Sequence, residues 1–371
     1  MSRKLFLLIL LFCSLLALGL PGLVRAESNP RVTGSSVQVD YPGNICFTIT
    51  AESGTNITDI RLHYQVNRMT IAAVTSEVYL DFSPAPRVET QWDWDMRKSG
   101  GLPPGTMVKY WWTVTDASDN QVKTEPAVFV VRDERYQWRE LTEKSVTLFW
   151  YQGGTDFADD LMHATQQVLA RVEDFTGAVP EQPISIYVYA SAQDLRGSMI
   201  FPQEWTGGVA FTRYSTVAIG ISPDSLEWGK RAIAHELTHL VIHQITFSAY
   251  GNLPTWLEEG LAMYAEGDLE GVFLQALYQA VIDEKLITVR SMASPFSAYA
   301  GESVLAYAES YSVASFLVDA YGKEEMFELL KTFKQGSSYD TALLKVYGFD
   351  MDGLNTIWQN YLLSAVAAAA R

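Results

Sequence analysis

His235-Glu236-Leu237-Thr238-His239 is the stretch on which the reading of this chain turns. On a helix, residues four apart stand one turn apart on one face, so two imidazoles at this spacing reach the same metal ion. Leu226, Ile233, Leu237, Leu240 and Val241 recur around them and supply a side to bury. Glu236 follows the first histidine, which sets its carboxylate beside the metal's open position, where it takes a proton from water. Zinc suits this donor set: it accepts nitrogen and oxygen ligands at about 2.0–2.2 Å and lowers the pKa of its water to roughly 7. The expectation is one Zn2+ per chain, with His235 and His239 as ligands and Glu236 as the catalytic base.

A catalytic zinc takes three protein ligands and keeps one position open. His243 continues the same helix but lies about 12 Å along the axis from His235, too far to close on one ion. The next helical segment, Pro254-Thr255-Trp256-Leu257-Glu258-Glu259-Gly260-Leu261-Ala262, is the better source. Gly260 and Ala262 let two helices approach closely there, so that Glu258 or Glu259 reaches the metal. His63 and His163 have no such setting and read as surface or packing residues.

His235 to His239 followed by Trp256 to Ala262 resembles the gluzincin metallopeptidases, and more narrowly the bacterial peptidase MA-like group related to thermolysin and aminopeptidase N. The resemblance implies a zincin-like domain and a third ligand from a helix downstream of the histidine pair. Its Trp-Leu-x-Glu-Gly pattern assigns that role to Glu259, with 19 residues between it and His239; Glu258, with 18, is the alternative. Ala306-Tyr307-Ala308-Glu309-Ser310-Tyr311-Ser312-Val313-Ala314 is similar to the segment that carries a transition-state tyrosine in the aminopeptidase relatives. By that likeness Tyr307, or Tyr311 one turn on, donates to the oxyanion.

The chain also departs from these families. It has no Gly-x-Met-Glu-Asn motif for gripping a substrate's free amino group, which favours endopeptidase over exopeptidase action. Met263 stands where thermolysin has an aspartate four residues after its third ligand, so support of a ligand histidine must come from elsewhere. Gly207-Gly208-Val209-Ala210 leads into a possible edge strand that pairs with a peptide.

Around this centre the composition divides near residue 135. Before it, short alternating runs rich in valine, threonine and aromatics predict strands at Ser36–Asp40, Cys46–Ala51, Asp59–Val66, Glu77–Phe82, Val108–Thr115 and Ala127–Val131. Gly54-Thr55-Asn56, Pro103-Pro104-Gly105 and Asp116 to Asn120 punctuate them as turns. This spacing predicts an immunoglobulin- or fibronectin-like β-sandwich over 27–135. Tyr110-Trp111-Trp112 reads as sandwich core rather than as a carbohydrate platform, and Asp116, Asp119 and Asn120 as a hairpin turn rather than a calcium site. A zincin-like peptidase domain then fills 136–371. It opens with a strand over Glu143–Tyr151, a helix over Asp156–Thr176, a strand over Ile184–Tyr189 and extended chain around Val209–Ile221. Helices follow near 224–247, 254–266, 270–284, 302–321, 323–334, 338–346 and 351–369. The fold class is therefore multidomain α+β.

Met1 to Ala26 reads as a secretory signal peptide: Arg3 and Lys4, an apolar Leu5–Leu20 core, then Val24-Arg25-Ala26 as the cleavage point. A retained membrane anchor is the alternative. Cys13 lies inside the apolar core, behind the bulky Phe12, which argues against a lipoprotein. Cleavage takes the formal charge from −16 to −19, since the leader holds three basic residues and no acid. So acidic a surface repels nucleic acid, which is excluded as a partner. The mature chain keeps one cysteine, Cys46, which reads as a buried inert thiol, and no intrachain disulfide is possible. The reading is a secreted or cell-envelope zinc metallopeptidase acting on peptide or protein, without stable membrane insertion. A zinc hydrolase of a non-peptide cell-wall amide and an inactive binding or adhesion protein are the competing readings.

Overall fold

The computed structural model describes residues 29–369, apart from 205 and 298. The expected leader, Met1 to Ala26, with its expected cleavage point and Cys13, lies outside the described residues. Among the described residues no helix is long and apolar enough to cross a membrane.

Period-two alternation builds the N-terminal half. Its strands are β1 (Arg31–Asp40), β2 (Asn44–Val66), β3 (Ser76–Tyr79), β4 (Ala85–Asp95), β5 (Met107–Asp116), β6 (Gln121–Lys123) and β7 (Ala127–Val130). The first part of β2 pairs with β1 and β4, and its second part with β3 and β5. Phe47 and Ile49 from the first part, Ile60 and Leu62 from the second, and Trp112 and Val114 from β5 meet in one core. Burying such side chains stabilises the fold by roughly 1.5–3 kcal/mol each.

Three expectations change here. Gly54-Thr55-Asn56 is not a turn between strands but lies within β2, whose register against β4 shifts between Glu52 and Ile57. A bulge absorbs the irregular residues without breaking the strand. Cys46 is not buried: Ile45, Phe47 and Ile49 take the inward positions, so alternation turns the thiol to the other face, where it is half-buried. Likewise Tyr110 and Trp112 enter the core, while Trp111 faces outward and stacks on His63, ring centroids 5.4 Å apart. Strand β4 was not anticipated at all; its outward Glu89, Gln91 and Asp93 are poor strand formers that mask the inward Val88 and Trp94. Asp116 does close a turn, accepting from the backbone of Ser118 and Asn120.

The second half begins with β8 (Arg139–Glu143) and β9 (Val146–Trp150), a hairpin where a single strand was expected. Then follow α1 (Thr155–Thr176), β10 (Ile184–Tyr189), the short α2 (Ala192–Arg196), β11 (Gly208–Phe211) and β12 (Thr216–Gly220). Their sheet runs β11-β12-β10-β9-β8, parallel across β9, β10 and β12, with β8 and β11 antiparallel at the edges. The chain ends in α3 (Leu226–Thr246), α4 (Thr255–Glu266), α5 (Gly271–Ile282), α6 (Ala300–Tyr321), α7 (Lys323–Lys334), α8 (Tyr339–Tyr347) and α9 (Met351–Ala369), close to the bounds that periodicity predicts. One face of the sheet, with Leu148, Ile186 and Val217, packs under Leu161 of α1 and Leu237 of α3. The other face carries Tyr187 and Tyr189, which pack with Tyr136 and Trp138.

Gly260 settles how the last helices meet. A Cβ there would lie 2.3 Å from the Ser310 carbonyl oxygen and 2.9 Å from the Ala314 Cβ. The close approach that glycine permits is thus between α4 and α6, not between α4 and the histidine helix as the sequence suggested. On α6, the fully buried Glu309 accepts from the Ile287 amide with both carboxylate oxygens at 3.1 Å, tying the loop after α5 to the helix bundle. Burial pushes its pKa up to about 8. An acid whose pKa is raised on folding holds its proton more tightly in the native chain, so stability is lost as pH rises from the unfolded value toward the folded one. The window runs from 4.5 to about 8. Glu309→Gln should therefore gain stability relative to the natural chain between about pH 5 and about pH 8, read as urea midpoints at both ends. A difference that stays constant across that range would mean the carboxyl does not titrate there.

Candidate metal centre

Helices α3 and α4 build the site. His235 and His239, one turn apart on α3, hold their rings edge-on with centroids 4.8 Å apart. From α4, Glu259 brings one oxygen between them: its Oε2 is 3.4 Å from His235 Nε2 and 3.7 Å from His239 Nε2. One ligand atom from each residue lies within 4.8 Å of the other two. Ligands about 2.0–2.1 Å from a tetrahedral ion stand about 3.4 Å from one another, so this spacing suits a shared cation. The same Oε2 is buried and makes no hydrogen bond. A buried acceptor without a donor is costly, and a divalent cation is the partner that two nitrogens and an oxygen would hold.

Glu258, the other candidate, turns elsewhere. Its Oε1 is 3.9 Å from His239 Nδ1, the ring nitrogen facing away from Glu259. It lines a separate polar pocket of 250 Å³ with Arg213 and His243. His243 thus stays outside the group that gathers His235, His239 and Glu259, as its distance along α3 predicts.

Sequence reasoning missed Glu266. It stands two turns after Glu259 on the same face of α4, and its Oε1 meets His235 Nδ1 at 2.8 Å. Its second oxygen lies 3.3 Å from Arg231 Nη2, and Arg231 Nε is 3.4 Å from Glu270 Oε1. A carboxylate on Nδ1 fixes the tautomer and leaves Nε2 free to face Glu259. The seven-residue spacing from Glu259 was the available signal, but only the packing of α4 on α3 shows that this face meets His235.

The charges are crowded. Burial by itself would lower the pKa of His235, but the carboxylates of Glu259 and Glu266 outweigh it and raise it to about 10. Burial dominates at His239 and lowers its pKa. Glu259 is likewise desolvated, yet the two imidazoles hold its pKa below the usual carboxylate range. Glu236 is pushed up to about 7, chiefly by burial, with the charge of His235 pulling against it.

Glu236 and His235 open onto a cleft of 680 Å³. Trp228 and Arg231 of α3 line it, with Met263 of α4, Phe273 of α5, and Val304 and Tyr307 of α6. Gly207, Gly208 and Val209 form its rim where β11 passes Glu236. A Cβ on Gly208 would stand 2.9 Å from Glu236 Oε1 and 3.1 Å from its Cγ, so a larger residue there would push the Glu236 side chain aside. Tyr307 therefore shares the cleft with Glu236, its ring edge-on to Phe296 at 5.3 Å. Burial, then the charges of Glu259 and Glu236, raise its pKa and keep its hydroxyl protonated. Tyr311 faces Tyr264 instead, centroids 6.1 Å apart, and is not among the cleft residues.

The family model for the Peptidase MA superfamily matches residues 164–364. No curated protein matches the chain. Among solved structures, wild-type OgpA from Akkermansia muciniphila is similar at 11% identity over 29% of this chain, with a TM-score of 0.22, and the chain spans 29% of the length of that protein. A carbohydrate-binding module family 56 beta-1,3-glucan binding domain is similar at 20% identity over 26% of this chain and 95% of its own length, with a TM-score of 0.17. Beta-glucosidase 3B from Thermotoga neapolitana is similar at 13% identity over 29% of this chain and 16% of its own, with a TM-score of 0.18. Likenesses this slight carry no argument.

The Glu266 contact makes a direct prediction. Glu266→Ala should weaken zinc or cobalt affinity roughly 10- to 100-fold, measured by competition with a chromophoric chelator. Unchanged affinity would show that His235 needs no carboxylate behind it.

Proposed function

The chain belongs to the Peptidase MA superfamily, and from that premise we propose that it is a secreted zinc-dependent metallopeptidase of the gluzincin type. In this reading an immunoglobulin-like sandwich over 27–135 precedes a zincin-like domain over 136–371, and a leader ending near Ala26 directs export. His235, His239 and Glu259 hold one Zn2+. The observation that carries the reading is the shared Glu259 oxygen, 3.4 and 3.7 Å from the two Nε2 atoms, in a site whose cleft also holds Glu236.

When bound, zinc polarises the scissile carbonyl and acidifies water at its open position. The chain's own groups do the rest. Glu236, with a pKa raised to about 7, takes the proton of the attacking water and later returns it to the leaving amine. Tyr307 keeps its hydroxyl proton and donates it in a hydrogen bond to the developing oxyanion. Edge strand β11 has one edge paired with β12; the other offers backbone groups to an extended peptide. Glu266 holds His235 in place. Endopeptidase action is favoured, because no amine-gripping motif accompanies the site.

Digestion of a peptide library by the purified mature chain tests this reading. Glu236→Gln should lose roughly 10²–10⁴ in kcat while keeping its zinc, whereas His239→Ala should lose the metal itself. Tyr307→Phe should cost roughly 10²–10³ in kcat with little change in KM. Equal turnover by Glu236→Gln and the natural chain would remove Glu236 from the mechanism.

A further inference from the structure

One side of the cleft is lined by Met199, Phe201, Pro202, Gln203 and Thr206 to Val209, within a rim stretch, residues 197–214, that carries β11. Strand β11 pairs with β12 over only four residue pairs, from Gly208↔Ile219 to Phe211↔Thr216. So short an edge strand has little hold of its own, and local opening is cheapest where few contacts resist it. Yet this is the strand that must stay beside Glu236 for an extended substrate to be aligned.

Besides its pairing with β12, the Gly220 amide's bond to the Gly207 carbonyl and the Ala210 amide's bond to Glu236, the stretch has anchors outside its own sheet. Ahead of β11, Arg135 donates from Nη1 to the Gly197 carbonyl at 2.8 Å. That arginine is itself clamped by the fully buried Asp133 through bonds of 2.8 and 2.6 Å. Three residues on, Ile200 packs against the core of the N-terminal β-region. It lies so close to the backbone there that a Cβ on Gly101 would be 3.1 Å from its Cγ1. Behind β11, the Met69 amide in the β2–β3 loop donates to the Arg213 carbonyl at 2.7 Å. Next to it, Tyr214 packs on that same β-region core.

We propose that the N-terminal β-region is a brace for the cleft: through Met69, Ile200 and Tyr214 it holds both ends of the rim and so sets the place of β11 against Glu236. None of the three lines the cleft, so they are positioning residues that act through the strand. The consequence for substrate rests on the peptidase reading; the bracing itself does not. A strand freed at its ends must be ordered afresh by each peptide it pairs with, which weakens binding and leaves the chemical groups untouched.

The test compares the full chain with Ile200→Ala and Met69→Pro, the latter deleting the donor to Arg213. Val114→Ala, which opens a cavity in the same core toward the far end of β5, is the control. Hydrogen exchange of peptides from 197–214 should quicken on the order of tenfold in the first two variants, with α3 unchanged. For a peptide long enough to lie along β11, KM should rise roughly tenfold while kcat stays within about twofold. Should Ile200→Ala fail to fold, Met69→Pro alone carries the test. Rim exchange unchanged in Met69→Pro, or quickened equally by Val114→Ala, overturns the brace. If rim exchange responds but the natural chain cuts no peptide, the brace stands and the peptidase reading falls.

Discussion

Helix α4 lies against α6 at a distance only a glycine allows, with the Gly260 Cα facing the Ser310 carbonyl where a methyl group would intrude to 2.3 Å. Much of the site follows from this contact. Trp256 and Leu257, both fully buried, fix the rotation of α4 about its own axis. Glu259 and Glu266 are then turned together toward α3, two turns apart, one to each side of His235. Tyr307 sits one turn before Ser310, so the surface that receives the glycine also sets where the phenol enters the cleft. Close-packed interiors transmit small displacements instead of absorbing them. A shift of α6 against α4 would therefore move a carboxylate and a hydroxyl at once.

The site concentrates like charge where water is scarce. Glu236, Glu259 and Glu266 all act on His235, and leaving Glu259 Oε2 buried without a hydrogen bond costs about 1–3 kcal/mol. A shared cation offsets that cost and also relieves the repulsion among the carboxylates. The same crowding sets the groups apart: Glu259 is held ionised by the imidazoles, while burial, and then the charge of Glu259, raise Glu236 to a pKa of about 7 against the pull of His235. Two carboxylates of one chemistry are thereby given opposite protonation preferences.

Just past the boundary between the two halves, Tyr136 and Trp138 pack against Tyr187 and Tyr189 in an aromatic seam on the second-half sheet. Asp133 closes it by accepting from Tyr189 Oη at 3.0 Å while pairing with Arg135. A seam built from rings and an ion pair whose acid is fully buried is stiff, because each ring has few rotamers to lose and the forked pair has one geometry.

Local information carried much of this structure. Helical periodicity located α3 to α9 within a few residues, because each buries one face and the pattern of that face is written in adjacent turns. The pairing of His235 with His239 was equally legible, since four residues on a helix is a fixed distance. What the sequence could not say was which acid of the next helix faces the pair. Glu258 and Glu259 differ by about 100° around α4, and only the packing of Gly260 on α6 turns Glu259 inward and leaves Glu258 in the neighbouring pocket. Glu266, the closeness of Gly208 to Glu236 and the Met69 contact were invisible for the same reason: each depends on an element distant in the chain. Spacing along one helix or strand is set by covalent geometry and so belongs to the sequence; which faces meet is set by the shapes of all the side chains between them, and only the assembled core decides that.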